Sequence, residues 1–314
     1  MNAEIECRSC GGRARRWGRG ARGRRFAGLQ LVPALDGGGL YRCTQCDLLL
    51  RHPLLPAEDY QALYARAPGG HWAAAELRPE QQRVVDHIRA RRPQGGAVLD
   101  IGCASGDLLA ALGPGFTAFG IEPSRDAQAL AQSRGIGILG ATPSELAAAG
   151  RRFDVITAID VIEHVPDPRA FLAQLAPFLE AGGFIVISTG STASAAWRLA
   201  GPAYYYSHNF EHISFISPRW CQRSAGPHFQ GTLIEAGFAH LDSGGLPPGR
   251  RLKGWLRFGA KLLPAWFEQQ VLTKLPGVAR ASGPRLMVGE PGLFRDHLMA
   301  EFALREGGLS SPPA

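Results

Sequence analysis

Ala97-Val98-Leu99-Asp100-Ile101-Gly102-Cys103-Ala104-Ser105-Gly106-Asp107-Leu108-Leu109 is the stretch that decides the fold of this chain. Four apolar residues between Ala97 and Ile101 predict a strand covered on both faces. Gly102 and Gly106 suit a turn where backbone must approach a ligand closely, and Asp107-Leu108-Leu109 opens a helix. A buried strand that leaves through a glycine-bearing turn into a helix predicts the nucleotide crevice of a doubly wound α/β sheet.

Two glycines do not choose the nucleotide; the acids do. A second apolar strand, 117–121, ends at Glu122, about 20 residues on, where a carboxylate can accept both hydroxyls of a ribose. No phosphate-binding lysine follows the turn, and Asp100 places a negative charge inside the loop. That charge repels a pyrophosphate and attracts an aminoacyl-sulfonium ligand. Downstream the pattern alternates: helix 126–133, strand 136–139, short helix 144–149, strand 154–158, helix 171–179, a stop at Gly182-Gly183, and strand 184–188. This is the rhythm of a parallel sheet covered by helices, with a further helix expected over 232–238.

The 314 residues exceed one mean domain, and 45% hydrophobic content is ample for a sizeable core. No run of 18 apolar residues exists and the N-terminus is charged, so neither a membrane span nor a signal peptide is expected and a cytoplasmic location follows. The formal charge of +7 is local rather than spread. Arg13, Arg15, Arg16, Arg19, Arg22, Arg24 and Arg25 crowd one segment without an acid, and Arg250, Arg251, Lys253, Arg257 and Lys261 form a second cluster. Nucleotide bias in the gene explains such a composition as well as a binding role does.

Cys7-x-x-Cys10 and Cys43-x-x-Cys46 are two knuckles, each able to place two thiolates on one metal, and together they make a four-sulfur site of the structural zinc-ribbon kind. The alternative, a disulfide pair, is disfavoured in a reducing compartment. A closed thiolate shell leaves no open position, so the zinc supplies folding energy rather than chemistry. The arginine run then reads as a loop between the knuckles, either solvated or touching nucleic acid. Expected boundaries are a ribbon module at 1–55, linker and cofactor-covering helices at 56–94 with a loop at Pro68-Gly69-Gly70, a core at 95–245, a basic amphipathic insertion at 246–283, and a final strand with a disordered tail at 284–314. The insertion suits either an anionic membrane surface at the inner membrane face or a lid over the core.

Val98–Gly106, Gly120–Ser124 and Phe153–Pro168 together resemble the successive motifs of class I S-adenosylmethionine-dependent methyltransferases. The resemblance implies that Asp100, Ile101, Gly102, Cys103, Ala104 and Gly106 line the methionine end of the cofactor, that Glu122 and Pro123 stand at the ribose, and that Asp160 lies beside the sulfonium. Many relatives carry an acid for the adenine amine after the third strand. Here that strand ends Gly140-Ala141-Thr142-Pro143, so backbone at Ala141 is expected to serve instead. A final antiparallel hairpin is implied from 239–243 and 285–288. The leader through Cys46, Leu48-Leu49-Leu50 and the Tyr60/Tyr64 helix resembles that of a bacterial subgroup associated with sugar, lipid or other small-molecule modification.

Asp160, Glu163 and His164 resemble the acid-x-x-Glu-His pattern of ubiquinone-type O-methyltransferases, which implies a divalent cation near Glu163 beside an acceptor hydroxyl; the same residues can simply cap a helix and order the loop. The stretch Tyr204 to His212 falls where relatives bind the acceptor, with Tyr205, Tyr206, His208 and Glu211 as contacts and His164 or His212 taking a hydroxyl proton, unless these residues only fill an interface. The expected function is methyl transfer to oxygen of a small molecule, glycan or lipid-linked acceptor. The alternatives are an RNA methyltransferase, which would hold phosphates with the ribbon and arginines, and a non-catalytic cofactor-binding scaffold.

Overall fold

A computed structural model describes residues 4–20, 22–66, 77–223, 226, 228–238 and 295–305. The expected loop at Pro68-Gly69-Gly70, the basic cluster and insertion at 246–283, the hairpin at 239–243 and 285–288, and the tail from 307 lie outside the described residues.

The N-terminal part is built from strands β1 (Glu4–Glu6), β2 (Arg13–Arg19), β3 (Gly23–Phe26), β4 (Leu29–Leu35), β5 (Gly39–Cys43) and β6 (Leu49–His52). The arginine run, expected as a loop, is instead strand: β2 pairs antiparallel with β1 and β5, and β3 pairs with β4. Alternation explains the correction. Ala14 is buried between exposed Arg13 and Arg15, so the guanidinium groups stand on the water face while the backbone is satisfied by the ladder. Ala27 and Gly28, both at positive φ (45° and 81°), supply the two-residue turn between β3 and β4. Glu4 pairs with Arg13 and Arg15.

Helix α1 (Ala57–Arg66) and helix α2 (Pro79–Arg91) follow. Val84, Val85 and Ile88 of α2 are buried, and Arg91 and His87 reach Glu301 at 3.0 and 2.8 Å, so the body of α2 is fastened to the sheet. The main sheet then forms from β7 (Gly96–Ile101), α3 (Asp107–Ala111), β8 (Phe116–Ile121), α4 (Arg125–Ser133), β9 (Gly137–Gly140), α5 (Leu146–Ala149), β10 (Phe153–Ile159), α6 (Pro168–Leu175), β11 (Leu179–Gly190), α7 (Ala195–Ala200), β12 (Ser214–Phe215), α8 (Pro218–Arg223), β13 (Phe229–Phe238) and β14 (His297–Leu304).

Seven strands lie in the order β13-β14-β11-β10-β7-β8-β9, parallel from β9 to β11 and antiparallel where β14 joins β11 and β13. The expected doubly wound α/β sheet is present. Chain order reverses between β7 and β10, which puts a crevice at their carboxyl ends. The expected helix over 232–238 is the strand β13. Its Leu, Ile, Glu and Ala residues favour helix locally, but pairing with β14, far away in sequence, overrides that preference. β12 stays out of the main sheet and adds to β6 as the edge of the N-terminal sheet, ordered β1-β2-β5-β6-β12. No helix among the described residues is long and apolar enough to cross a membrane.

Candidate active site

The turn after β7 is tied down by backbone. Gly102 and Cys103 N–H both donate to the Ile121 carbonyl (2.8 and 3.1 Å), and Gly106 N–H donates to the Cys103 carbonyl (2.8 Å). Gly106 sits at φ +78°, and a Cβ there would lie 2.1 Å from Ile136 Cδ1, just ahead of β9, so a larger residue would strain the backbone and displace that side chain. Ala104 holds φ +46°, a left-handed position that costs energy for alanine and that marks the loop as constrained. Cys103 is buried, with its thiol packed against Gly120 of β8.

Glu122 anchors the other wall. Its Oε2 accepts from Ala104 N–H at 2.9 Å and its Oε1 from Ser124 N–H at 2.8 Å. Each carboxylate oxygen keeps further acceptor capacity, as two ribose hydroxyls require. Burial pushes the Glu122 carboxyl up. Asp100, 4% exposed, accepts from Thr157 Oγ1 at 2.6 Å, and burial, reinforced by the Glu122 charge, pushes it up to about 7. Pro123 is exposed at the turn beyond Glu122. Ala141 N–H is already given to Glu145 Oε1 at 3.0 Å, as is Thr142 N–H at 2.9 Å. An acid does therefore stand after β9; it comes from the next short helical turn rather than from the strand end.

Asp160 follows β10 with φ +54°. Its Oδ2 accepts from Arg78 Nη1 at 3.1 Å, and His297 Nε2 lies 3.6 Å from its Oδ1. Arg78 also pairs with buried Glu80 at 2.7 Å, so the start of α2 reaches the crevice through Arg78. His297 is fully buried, with Nδ1 2.9 Å from Asp296 Oδ1. Burial alone would lower its pKa, but Asp160 and Asp296 outweigh that and raise it to about 10, which makes it an imidazolium between two carboxylates.

Glu163, His164 and His212 come together: their ligand-capable atoms all lie within 4.8 Å of one another. Asp160 is not in this trio; it turns to Arg78 and His297. The Tyr206 hydroxyl donates to Glu163 Oε1 at 2.5 Å, while buried Glu163 Oε2 has no hydrogen-bond partner among the described residues. His212 Nδ1 donates to the Tyr206 carbonyl at 3.0 Å and His164 Nδ1 to the Glu211 carbonyl at 3.2 Å, which fixes a proton on each Nδ1 and leaves each Nε2 a lone pair. The Tyr64 hydroxyl lies 3.2 Å from His164 Nδ1. Burial lowers both histidines, His212 strongly, and burial raises Glu163 to about 7. The donor set of two neutral imidazoles and one carboxylate oxygen suits a divalent transition cation.

Most of the expected acceptor contacts are buried. Tyr205 and Tyr206 are 5% exposed, packed with Trp197, Tyr204 and Phe215, and the Tyr204 and Tyr205 hydroxyls donate to Asp296 Oδ2 at 2.6 and 3.0 Å. Glu211 is buried and His208 half-buried. Sequence reasoning missed Arg78, Thr157, Asp296 and His297. Only Asp296-His297, a charged pair opening an apolar strand, carried a signal: a buried strand opens on charge only where partners meet it.

The four cysteines of the N-terminal sheet are separate thiols, not disulfides. Cys7 and Cys46 sulfurs lie 3.8 Å apart and Cys10 and Cys43 sulfurs 3.5 Å apart. A tetrahedral metal with sulfur ligands at about 2.3 Å has edges of about 3.8 Å, so the four residues fit a structural metal. Cys7 is drawn down to about 5 chiefly by the hydrogen bond from Cys46, which favours the thiolate a metal needs.

A family model described as a methyltransferase domain matches residues 70–223. A ubiquinone biosynthesis O-methyltransferase of Thiobacillus denitrificans is 34% identical over 165 residues, covering 48% of this chain and 70% of that protein. One of Xanthomonas axonopodis pv. citri is 33% identical over 125 residues, covering 37% and 52%. The chain thus spans about half the length of several curated relatives it matches. A solved S-adenosylmethionine-dependent methyltransferase from Thermotoga maritima aligns over 72% of this chain and 88% of its own, at 15% identity and a TM-score of 0.44.

Proposed function

The chain belongs to the class I S-adenosylmethionine-dependent methyltransferase family, and on that premise we propose that it methylates an oxygen of a small-molecule, glycan or lipid-linked acceptor. When bound, S-adenosylmethionine supplies a sulfonium-activated methyl group. Asp100, Ile101, Gly102, Cys103, Ala104 and Gly106 hold the methionine end, Glu122 and Pro123 the ribose, and the Ala141 turn together with the Glu145 carboxylate bonded to it the adenine edge. Asp160, held by Arg78 and His297, stands at the methyl end of the crevice.

The observation that carries the acceptor side is the trio Glu163, His164 and His212, with both imidazoles neutral and each Nε2 bearing its lone pair. Either Nε2 can take the proton of an acceptor hydroxyl. A positioned base contributes typically 10²–10⁴-fold, while orientation of the two reactants supplies roughly 7–11 kcal/mol, so placement dominates and the base adds to it. The same three residues would hold a divalent cation, which would acidify the hydroxyl. Tyr205, Tyr206, His208 and Glu211 form the wall behind them. Zinc on Cys7, Cys10, Cys43 and Cys46 would stabilise the N-terminal sheet without entering the chemistry.

One observation favours a second acceptor. Arg16, Arg19, Arg22, Arg24 and Arg25 are exposed along β2, β3 and their connection, an arrangement that suits RNA phosphates. Incubation with methyl-labelled cofactor and parallel panels of hydroxylated small molecules and RNA separates the readings. Label in the small-molecule fraction, lost in His212→Asn, supports the proposal. Label only in RNA replaces the acceptor class, and tight cofactor binding without label in any panel points to a scaffold.

A further inference from the structure

The metal-binding turns of the N-terminal sheet grip the acceptor side. Arg8 lies between Cys7 and Cys10, and its guanidinium points out of the module. Nη1 donates to the Arg51 carbonyl (2.8 Å), Nη2 to the Ile213 carbonyl (2.6 Å) and Ser214 Oγ (3.0 Å), and Nε to the Pro166 carbonyl. Ser9 Oγ donates to Asp167 Oδ1 at 2.8 Å. At the other knuckle Asp47, next to Cys46, accepts from Ser217 Oγ at 2.5 Å. These contacts bracket His164 from one side and His212 from the other.

Arg51 completes the grip. It is 1% exposed and has no carboxylate partner among the described residues. Its donors go to three backbone carbonyls, Gly37 (2.9 Å), Ser207 (2.8 Å) and His212 (3.1 Å), and it lies 5.2 Å from the centre of the Phe210 ring. Its own N–H donates to the Ile213 carbonyl at 3.0 Å, and β12 pairs with β6 beside it. A guanidinium buried with no carboxylate in direct contact, only the charge of Glu211 acting on it from further off, is tolerated only while its N–H groups are bonded, so Arg51 and the 207–213 backbone must keep their places together. Among the described residues, no hydrogen bond or ion pair links 4–66 to Asp100–Gly106 or Glu122, whose partners outside their own loop include Thr157, Ile121, Ser124, Gln128, Arg134 and Gly140.

We propose that Arg8 and Arg51 are positioning residues through which metal bound to the four cysteines holds the His164 and His212 side of the acceptor pocket, leaving the cofactor crevice independent of that metal. The inference rests on the four-sulfur cluster taking zinc and on the acceptor-side reading above. Linkage is reciprocal: if zinc steadies the 205–217 segment through these arginines, the arginines must tighten zinc.

The test uses the full chain, zinc-loaded and chelator-stripped, with Arg8→Met, Arg51→Met and Arg51→Lys. Three quantities are read: amide exchange over 205–217, S-adenosylhomocysteine affinity by calorimetry, and zinc affinity by competition with a chromophoric chelator. Stripping or either Met variant is expected to speed exchange over 205–217 at least tenfold while homocysteine-cofactor affinity stays within twofold. Zinc affinity should fall at least tenfold in both Met variants, although neither residue is a ligand, with Arg51→Lys intermediate. Unchanged exchange over 205–217, unchanged zinc affinity, or exchange that rises equally over 96–122 would overturn the proposal. If Arg51→Met does not fold, Arg8→Met and the stripped wild type carry the same test. Absence of zinc from the wild type would sink the zinc reading while the variants still test the grip, and failure to bind S-adenosylhomocysteine would sink the cofactor reading without altering either arginine result.

Discussion

Asp100→Asn should remove most of the pH dependence of cofactor binding. Asp100 is buried and its carboxyl stands at about 7, raised by burial and the Glu122 charge against the opposing Thr157 hydroxyl. An ordinary Asp titrates near 3.9. A cationic ligand requires the carboxylate, so below pH 7 binding must expel a proton from Asp100. Each pH unit below 7 then weakens binding about tenfold, or ~1.36 kcal/mol. From pH 7, where half of Asp100 is already protonated, to pH 5 the loss is about 50-fold, roughly 2.3 kcal/mol, with little change between pH 7.5 and 8.5. The effect on folding has the opposite sense. A carboxyl raised in the folded state favours folding below the unfolded pKa, and that contribution disappears as pH rises through about 7. The ligand-free protein is therefore most penalised where the ligand binds best. Calorimetry from pH 5 to 8, in two buffers of different ionisation enthalpy, measures both affinity and released protons. Glu163 and Glu80 also stand at about 7, so the Asp100→Asn variant isolates the Asp100 share. A wild-type affinity that is flat over this range, or an Asn variant with the same slope, would refute the reasoning.

Gly106→Ala places a methyl on Ile136 at positive φ and should cost about 1–3 kcal/mol of stability and weaken cofactor binding; thermal unfolding with and without S-adenosylhomocysteine checks both. His297→Gln removes the cation between Asp160 and Asp296, and a buried pair broken on one side loses about 3–5 kcal/mol. Because His297 is raised to about 10, its contribution is full below pH 6.5 and is lost as pH rises through 10, so urea denaturation should show the variant and wild type converging there. Tyr206→Phe strips a hydroxyl from Glu163, Thr189 and the Gly190 N–H and should cost about 1–3 kcal/mol, with cofactor affinity unchanged. Cys46→Ser should lower zinc content below one equivalent per chain and lower the melting temperature by several degrees.

What was legible in the sequence was local. β7, its turn and α3 run without interruption from Gly96 to Ala111, and Asp100, Gly106 and Glu122 are fixed by that strand and the next, so pattern alone places them. The cysteine knuckles are legible for the same reason, each being one tight turn. The 232–238 segment shows the limit: its composition favours helix, and the strand that overrides it begins at His297. The arginine run hid its alternation because Ala14 and Trp17 are a weak apolar face between so many charges. Arg78, ahead of α2, and His297, backed by Asp296 at the start of β14, meet at Asp160 from two distant parts of the chain, and Arg8 and Arg51 bond main-chain carbonyls, which leave no side-chain signature in a sequence. The burial of the acceptor wall was illegible for a related reason. Tyrosines are equally at home on a surface or inside, and only Asp296 and Glu163 decide that these hydroxyls turn inward.

The central claim is that the crevice at the carboxyl ends of β7 and β10 takes S-adenosylmethionine, and calorimetric titration of the zinc-loaded protein with S-adenosylmethionine and S-adenosylhomocysteine at pH 8 tests it most directly. Saturable one-to-one binding of both in the micromolar range, abolished by Asp100→Ala and by Glu122→Ala, is the predicted result. No binding of either ligand to folded protein, or affinity unaffected by both substitutions, would contradict it.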